Sequence, residues 1–255
     1  MEKRASKQEV VDIPLGTLHR MTTWMERVYG DGNVVLIGGR AINLFCSISY
    51  RKTHDVDIVL PRRLTEHDIE MLPDKEHCLD EYFSYRGKIG DKARSKLQFV
   101  AQGMDRPIEI DMYYPFWATH GSFNRDGMSI GGVVPVPIEA VLGQSTTVKM
   151  GGFSFRVAKL EVLAVMKYNT MIERGIPQDD SRDKTDLTTI FRNHANNRHD
   201  FILMMSKIDR FLDCYMPEHR DSAISGILRA IDFNGINRDV GNEARLLLRD
   251  PSRLR

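Results

Sequence analysis

The sequence predicts an α/β (α+β) chain: a mixed β-sheet with its helices, followed by a helical C-terminal domain. Three observations carry this. In the N-terminal half, short apolar runs such as Val34-Val35-Leu36-Ile37 alternate with stretches of helical period, punctuated by glycine and proline. Two strand-like runs flank Gly151-Gly152, the spacing of a two-residue hairpin. From Lys159 onward the strand-like runs stop and long helical segments take over. The change of texture divides the chain into residues 1–156 and 157–255.

Taken in order, Leu15 to Tyr29 predicts a helix, with Leu18, Met21, Met25 and Val28 on one stripe, ended by Gly30-Asp31-Gly32. Val34 to Ile37 is a fully apolar strand that runs into Gly38-Gly39, and Arg40 to Ser49 is the next helix. Asp55 to Leu60 is a strand stopped by Pro61, and Thr65 caps a helix to Leu72. Strands follow at Leu97–Ala101 and Ile108–Tyr113, and residues 121–132 are a glycine-rich loop. The hairpin joins Thr146–Met150 to Phe153–Val157. Helices then run over Lys159–Arg174, from Ser181 to Arg192, and over Phe201–Tyr215, Asp221–Ile231 and Arg238–Leu248.

Composition excludes several classes. The chain has 255 residues, is 42% hydrophobic and 28% charged, and carries a net charge of +1, values ordinary for a folded protein. Near-neutrality offers no general electrostatic grip on nucleic acid, and residues 182–255, with 13 basic and 11 acidic side chains, do no better. Three scattered cysteines, Cys46, Cys78 and Cys214, read as reduced structural thiols. The N-terminus lacks the apolar core of a signal peptide, and no run of about eighteen apolar residues exists to span a membrane. The expectation is a cytoplasmic protein.

The chemistry sits in two strands. In Asp55-Val56-Asp57-Ile58 alternate side chains share a face, so Asp55 and Asp57 point together while Val56 and Ile58 point to the core. Two carboxylates about 4 Å apart repel by roughly 4 kcal/mol at an effective dielectric near 20. A divalent cation removes that cost, and oxygen donors suit magnesium or manganese. Ile108-Glu109-Ile110-Asp111-Met112 repeats the alternation, with Glu109 and Asp111 opposite the apolar face. A neighbouring strand would bring Asp111 beside the first pair, and three carboxylates would serve phosphoryl displacement. Strand, Gly38-Gly39 and helix form a turn whose backbone N–H groups are able to cradle phosphate; the bland alternative is an ordinary tight turn.

Gly38-Gly39-Arg40-Ala41, then Arg51-Lys52-Thr53-His54-Asp55-Val56-Asp57, then Asp111 together resemble the DNA polymerase beta-like nucleotidyltransferase superfamily. Sixteen positions separate Gly39 from Asp55, and Arg51, Thr53 and Asp55 form an Arg-x-Thr-x-Asp lead-in. Both features are similar to the AbiEii-like subgroup of abortive-infection and toxin–antitoxin proteins. Helix residues 157–167 with Lys167, then Ser181-Arg182-Asp183-Lys184-Thr185-Asp186-Leu187, extend the likeness, which covers residues 33–191. The resemblance implies a nucleotidyltransferase fold and transfer of a nucleoside monophosphate from a triphosphate to an acceptor: RNA such as tRNA, a protein or a small molecule. It implies catalytic and metal roles for Asp55, Asp57 and Asp111 with magnesium or manganese, nucleotide contacts from Gly38, Gly39, Arg40, Thr53 and Lys167, and a cognate antitoxin.

Several readings stay open on the residues alone. Leu160, Leu163, Lys167 and Met171 share a helical stripe, from which Lys167 either reaches a cleft or lies along the interface. Arg40 and Arg51 either bind phosphate or pair with nearby acids. Arg182, Asp183 and Asp186 read as an ion-pair network holding helices. A nucleotide-binding protein without turnover is the alternative to an enzyme. His194 and His199 lack the cysteines of a zinc site, and no Walker-type or nucleophile-elbow pattern is present.

Overall fold

A computed structural model of the chain describes residues 13–46, 53, 55–62, 65, 67–68, 81–84, 94–101, 108–113, 136–173, 182–233 and 236–254. Its strands are β1 (Val35–Ile37), β2 (Asp55–Val59), β3 (Glu81–Ser84), β4 (Arg94–Ala101), β5 (Ile108–Tyr113), β6 (Ser145–Met150) and β7 (Phe153–Ala158). They form one seven-stranded sheet in the order β3-β4-β5-β2-β1-β7-β6. The sheet is mixed: β2 runs parallel to β5 and β1 parallel to β7, while β1–β2, β3–β4, β4–β5 and β6–β7 are antiparallel.

The central strand β1 is buried at every residue, because it lies between β2 and β7 under cover on both faces. Gly151 and Gly152 close the β6–β7 hairpin, both at positive φ (57° and 83°), the conformation a two-residue turn demands. Helix α1 (Leu15–Tyr29) lies along β7, with the His19 ring 4.8 Å from Phe153 and 5.9 Å from Phe155. Helix α2 (Gly38–Cys46) packs on β1 and β2. The short helix α3 (Ile138–Gly143) precedes β6.

Past β7, which continues to Ala158, the remaining helices are α4 (Leu160–Glu173), α5 (Arg182–His194), α6 (Arg198–Tyr215), α7 (Arg220–Ala230) and α8 (Arg238–Arg249). Helix α4 is their hub: Val162, Leu163, Ala164, Val165 and Met166 are buried in succession, and α2, α5, α6 and α7 surround it. A helix buried on every side cannot offer one stripe to solvent. Asn197 caps α6 by accepting the Asp200 N–H at 2.9 Å. Residues 121–132 and most of the helix expected from Thr65 lie outside the described residues. No helix among the described residues is long and apolar enough to cross a membrane.

Candidate active site

Strand β2 forms as its alternation dictates. Val56 and Ile58 are fully buried, Asp57 is half-buried and Asp55 exposed. The parallel register with β5 sets Asp57 opposite Asp111 and Asp55 opposite Glu109. Neighbouring strands lie about 4.8 Å apart, and residues directly opposite share a face. Four carboxyl groups therefore occupy one two-by-two patch of sheet. Asp111 is 4% exposed, so the patch is wet at Asp55 and Glu109 and dry at Asp111.

On its other side β2 pairs with β1, and Ile37 stands opposite Asp57. The next residue, Gly38, turns the chain into α2 with φ at 69°. A Cβ at that position would come within 2.9 Å of the Asp57 Cγ and closer still to its Oδ2. Glycine is thus required twice, for the left-handed backbone and for the space the carboxylate fills. Gly39 follows, buried in the first turn. The opening N–H groups of a helix lack intrahelical acceptors and face anions, so this turn and the acids form one locus. Tyr113 donates its hydroxyl to Asp57 Oδ1 over a long 3.4 Å. Motif reasoning passed over Tyr113, although its spacing from Asp111 by two residues on a strand gives it the same face.

The donors are of the right kind for a hard divalent ion, since carboxylate oxygens are what magnesium and manganese prefer. Two of them, Asp57 and Asp111, are register partners. Among the described residues no three His, Cys, Asp or Glu side chains already stand together as a cage. The residues fit such an ion in chemistry and in strand placement, without a preformed three-carboxylate pocket.

The remaining residues singled out in the sequence take varied places. Thr53 is 3% exposed just ahead of β2, and its hydroxyl has no hydrogen-bond partner among the described residues. Arg40 is buried on α2 and donates Nη2 to the carbonyl of Ile13, tying the segment before α1 to α2. Lys167 is buried, with Nζ 3.0 Å from Asp183 Oδ1 and 2.6 Å from Asp186 Oδ2. Burial opposes its charge, but the attraction of Asp186 and Asp183 and their hydrogen bonds outweigh that and raise its pKa. The lysine reaches neither solvent nor an open cleft; with Asp183 and Asp186 it forms the ion-pair network that joins α4 to α5. Arg182 is exposed. Asp186 also bears on Cys46 at the far end of α2, whose thiol burial first, and that charge second, push up to about 11.

A family model described as nucleotidyl transferase AbiEii toxin, type IV toxin–antitoxin system, matches residues 21–239. No curated protein matches the chain. Among solved structures, JHP933 from Helicobacter pylori superposes with a TM-score of 0.46 at 12% identity, covering 95% of this chain and 96% of its own. An antigenic nucleotidyltransferase-like protein from Paracoccidioides brasiliensis gives 0.43 at 13% identity, over 85% and 95% of the two chains. The nucleotidyltransferase toxin MenT4 from Mycobacterium tuberculosis H37Rv gives 0.39 at 13%, over 93% and 91%.

Proposed function

Because the chain belongs to the AbiEii nucleotidyltransferase toxin family, we propose that its reaction is carried out at the acid patch of β2 and β5 beside the Gly38 turn. The enzyme moves a nucleoside monophosphate from a nucleoside triphosphate to an acceptor. The observation that carries the site assignment is the register: Asp57 faces Asp111 across β2–β5 and rests against Gly38 at the start of α2.

In this reading the first N–H groups of α2, at Gly38 and Gly39, hold phosphate oxygens of the triphosphate. Asp55, Asp57 and Asp111 would hold magnesium or manganese, which would neutralise charge on the phosphates when bound. Asp55 stands at the exposed edge of the patch, on the same strand face as Asp57. Asp111, the buried member, takes the proton of the acceptor hydroxyl as its oxygen bonds to the α-phosphorus and the α–β anhydride bond breaks, releasing pyrophosphate. Thr53, with an unsatisfied buried hydroxyl two residues before Asp55, is assigned to the nucleotide. Arg40 and Lys167 act at one remove: their charges hold α2 and the α4–α5 pair in place. The reading keeps a cytoplasmic location, where triphosphates are available, and a cognate antitoxin that relieves toxicity.

The test is to incubate the purified protein with each α-labelled nucleoside triphosphate and, separately, total RNA, total protein and small-molecule extract. Label should enter one fraction, with pyrophosphate released and EDTA stopping the reaction. Label entering none of them, or transfer indifferent to EDTA, would reject the proposal.

A further inference from the structure

A second concavity lies away from the acids. It is a cleft of ≈ 570 Å³ between the end of α2, the start of α4, the hairpin strand β6 and one side of α6. Strand registers put it on the other face of the sheet. Ile37 opposes Asp57 and shares its face, so Leu36 looks the opposite way. Val157 pairs with Leu36, and Thr146 with Val157, so Thr146 faces away from the acids, and Thr146 lines the cleft. None of Asp55, Asp57 and Asp111 is in its wall.

The wall combines two chemistries. Lys159, Lys207 and Arg210 supply positive charge, and Phe45, Phe211 and Tyr215 supply rings. Lys159 donates to Gln144 Oε1 at 2.9 Å, whereas Lys207 and Arg210 are exposed and have no ion-pair partner among the described residues. They stand three apart on α6, hence side by side on one helix face. Phe211 and Tyr215 are one turn apart with centroids 5.1 Å from each other, and Tyr215 is 39% exposed, so one ring is braced and the other presents a free surface. Glu161 is the acid in the lining. It disfavours a ligand that is anionic throughout and suits one with hydroxyl or amine donors at one end. Uncommitted cations beside an exposed ring are what a phosphate joined to a flat base requires. The volume is that of an ordinary small-ligand site.

We propose that this cleft binds a nucleoside phosphate unit, with phosphate on Lys207 and Arg210 and the base on Tyr215. The proposal rests on the nucleotidyltransferase reading only for its biological sense; the site itself is independent of the acids. Two sources share this chemistry: a free nucleotide, and a nucleotide within a single strand such as an RNA acceptor.

Cys214 provides the readout, because it is an exposed free thiol in the lining while Cys46 is buried and held protonated. The full-length protein is alkylated with a maleimide in the presence of AMP, a ten-nucleotide single-stranded RNA or inorganic phosphate, and modification is followed on the Cys214 peptide by mass spectrometry. The nucleotide or the RNA should slow alkylation about tenfold, as a stacked base together with phosphate contacts would, and inorganic phosphate should not. Protection should be lost in Lys207→Glu/Arg210→Glu and in Tyr215→Ala, with unchanged melting temperatures, and kept in Asp57→Asn. Protection by AMP identifies the free nucleotide as sufficient, and protection by RNA alone identifies the strand. Absence of protection by both, equal protection by inorganic phosphate, full protection in the α6 variants, or loss of protection in Asp57→Asn would each overturn the assignment. The last outcome would move the ligand to the acid patch without touching the transferase reading.

Discussion

Gly38 and Asp57 fit each other so closely that a single methyl group tests the site. Gly38→Ala meets two penalties: the strain of a positive φ, about 1 kcal/mol, and collision with the Asp57 carboxylate. Gly32→Ala is the control, since Gly32 also has positive φ (78°) but open space around its would-be Cβ. Both variants should melt lower, Gly38→Ala by the larger margin because of the added collision, but only Gly38→Ala should lose transfer in its folded fraction, by about a hundredfold as for a lost preorganised contact. Equal activity in the two would show that Asp57 is not held where the chemistry needs it. Glu109→Gln, at the exposed edge opposite Asp55, should cost much less than Asp57→Asn. The acids were legible in the sequence because strand alternation forces Asp55 with Asp57, and Glu109 with Asp111, onto common faces. That the two strands would be neighbours was expected, but their register, which sets Asp57 and not Asp55 against Asp111, was not legible, because register depends on contacts far apart in the chain.

At the scale of elements, Lys167 shows where stripe reasoning fails. Leu160, Leu163, Lys167 and Met171 do recur at helical spacing, but Val162, Ala164, Val165 and Met166 between them are buried too. A helix apolar all round is a core helix, and a lysine in it must be paired. Lys167→Met would strand two carboxylates in the interior and should destabilise the protein by about 3–5 kcal/mol, with activity falling only as far as folding does. The pH dependence has a definite sign. Lys167 has a folded pKa raised above its unfolded value, so its stabilisation is complete below the ordinary lysine pKa of 10.5 and drains as pH rises beyond it. Cys46, raised from 9.0 to about 11, acts in the same direction, since the unfolded thiol ionises first. Melting temperature should fall steadily from pH 9 to 11, and less steeply in Cys46→Ala.

A second element-scale case went the other way. Thr65 was legible as a cap, and the structure adds the partner that makes it a capping box. The Asp68 N–H donates to Thr65 Oγ1 at 3.2 Å, and the Thr65 N–H donates to Asp68 Oδ2 at 2.8 Å. Arg62 clamps the same carboxylate with two nitrogens, at 2.5 and 2.8 Å. That hydrogen bonding holds Asp68 well below the usual carboxylate range, so its contribution is complete above pH 4 or so and is lost as pH falls further. Thr65→Ala should cost about 1 kcal/mol by chemical denaturation, without change in transfer. An unchanged midpoint would show that the Arg62 clamp alone holds the turn.

Across the whole molecule, the sheet carries the proposed site, and the C-terminal helices gather around α4. The α/β order, the hairpin at Gly151-Gly152 and the C-terminal helices were all legible, because apolar period and glycine placement are local signals. Strand β3 and helix α3 were missed: Glu81-Tyr82-Phe83-Ser84 is no continuous apolar run like Val34–Ile37, and the six residues of α3 are too few for a helical period to declare itself. Cys214 was read as a structural thiol because its neighbours Leu212 and Tyr215 are apolar, yet the helix turns it outward. The join between sheet and helices is continuous: β7 runs to Ala158 and α4 begins at Leu160, with α2 in contact with β1, β2 and α4.

Asp57 is the residue on which the proposed active site most directly depends. Wild type and Asp57→Asn should be compared for label transfer from an α-labelled triphosphate to the accepting fraction, with thermal melting of both measured alongside. The substitution is nearly isosteric and removes one charge from a like-charged patch, so the melting temperature should hold or rise slightly while transfer falls by about a hundredfold or more. Near-normal transfer by Asp57→Asn, or a loss explained by unfolding alone, would contradict the placement of the active site on β2 and β5.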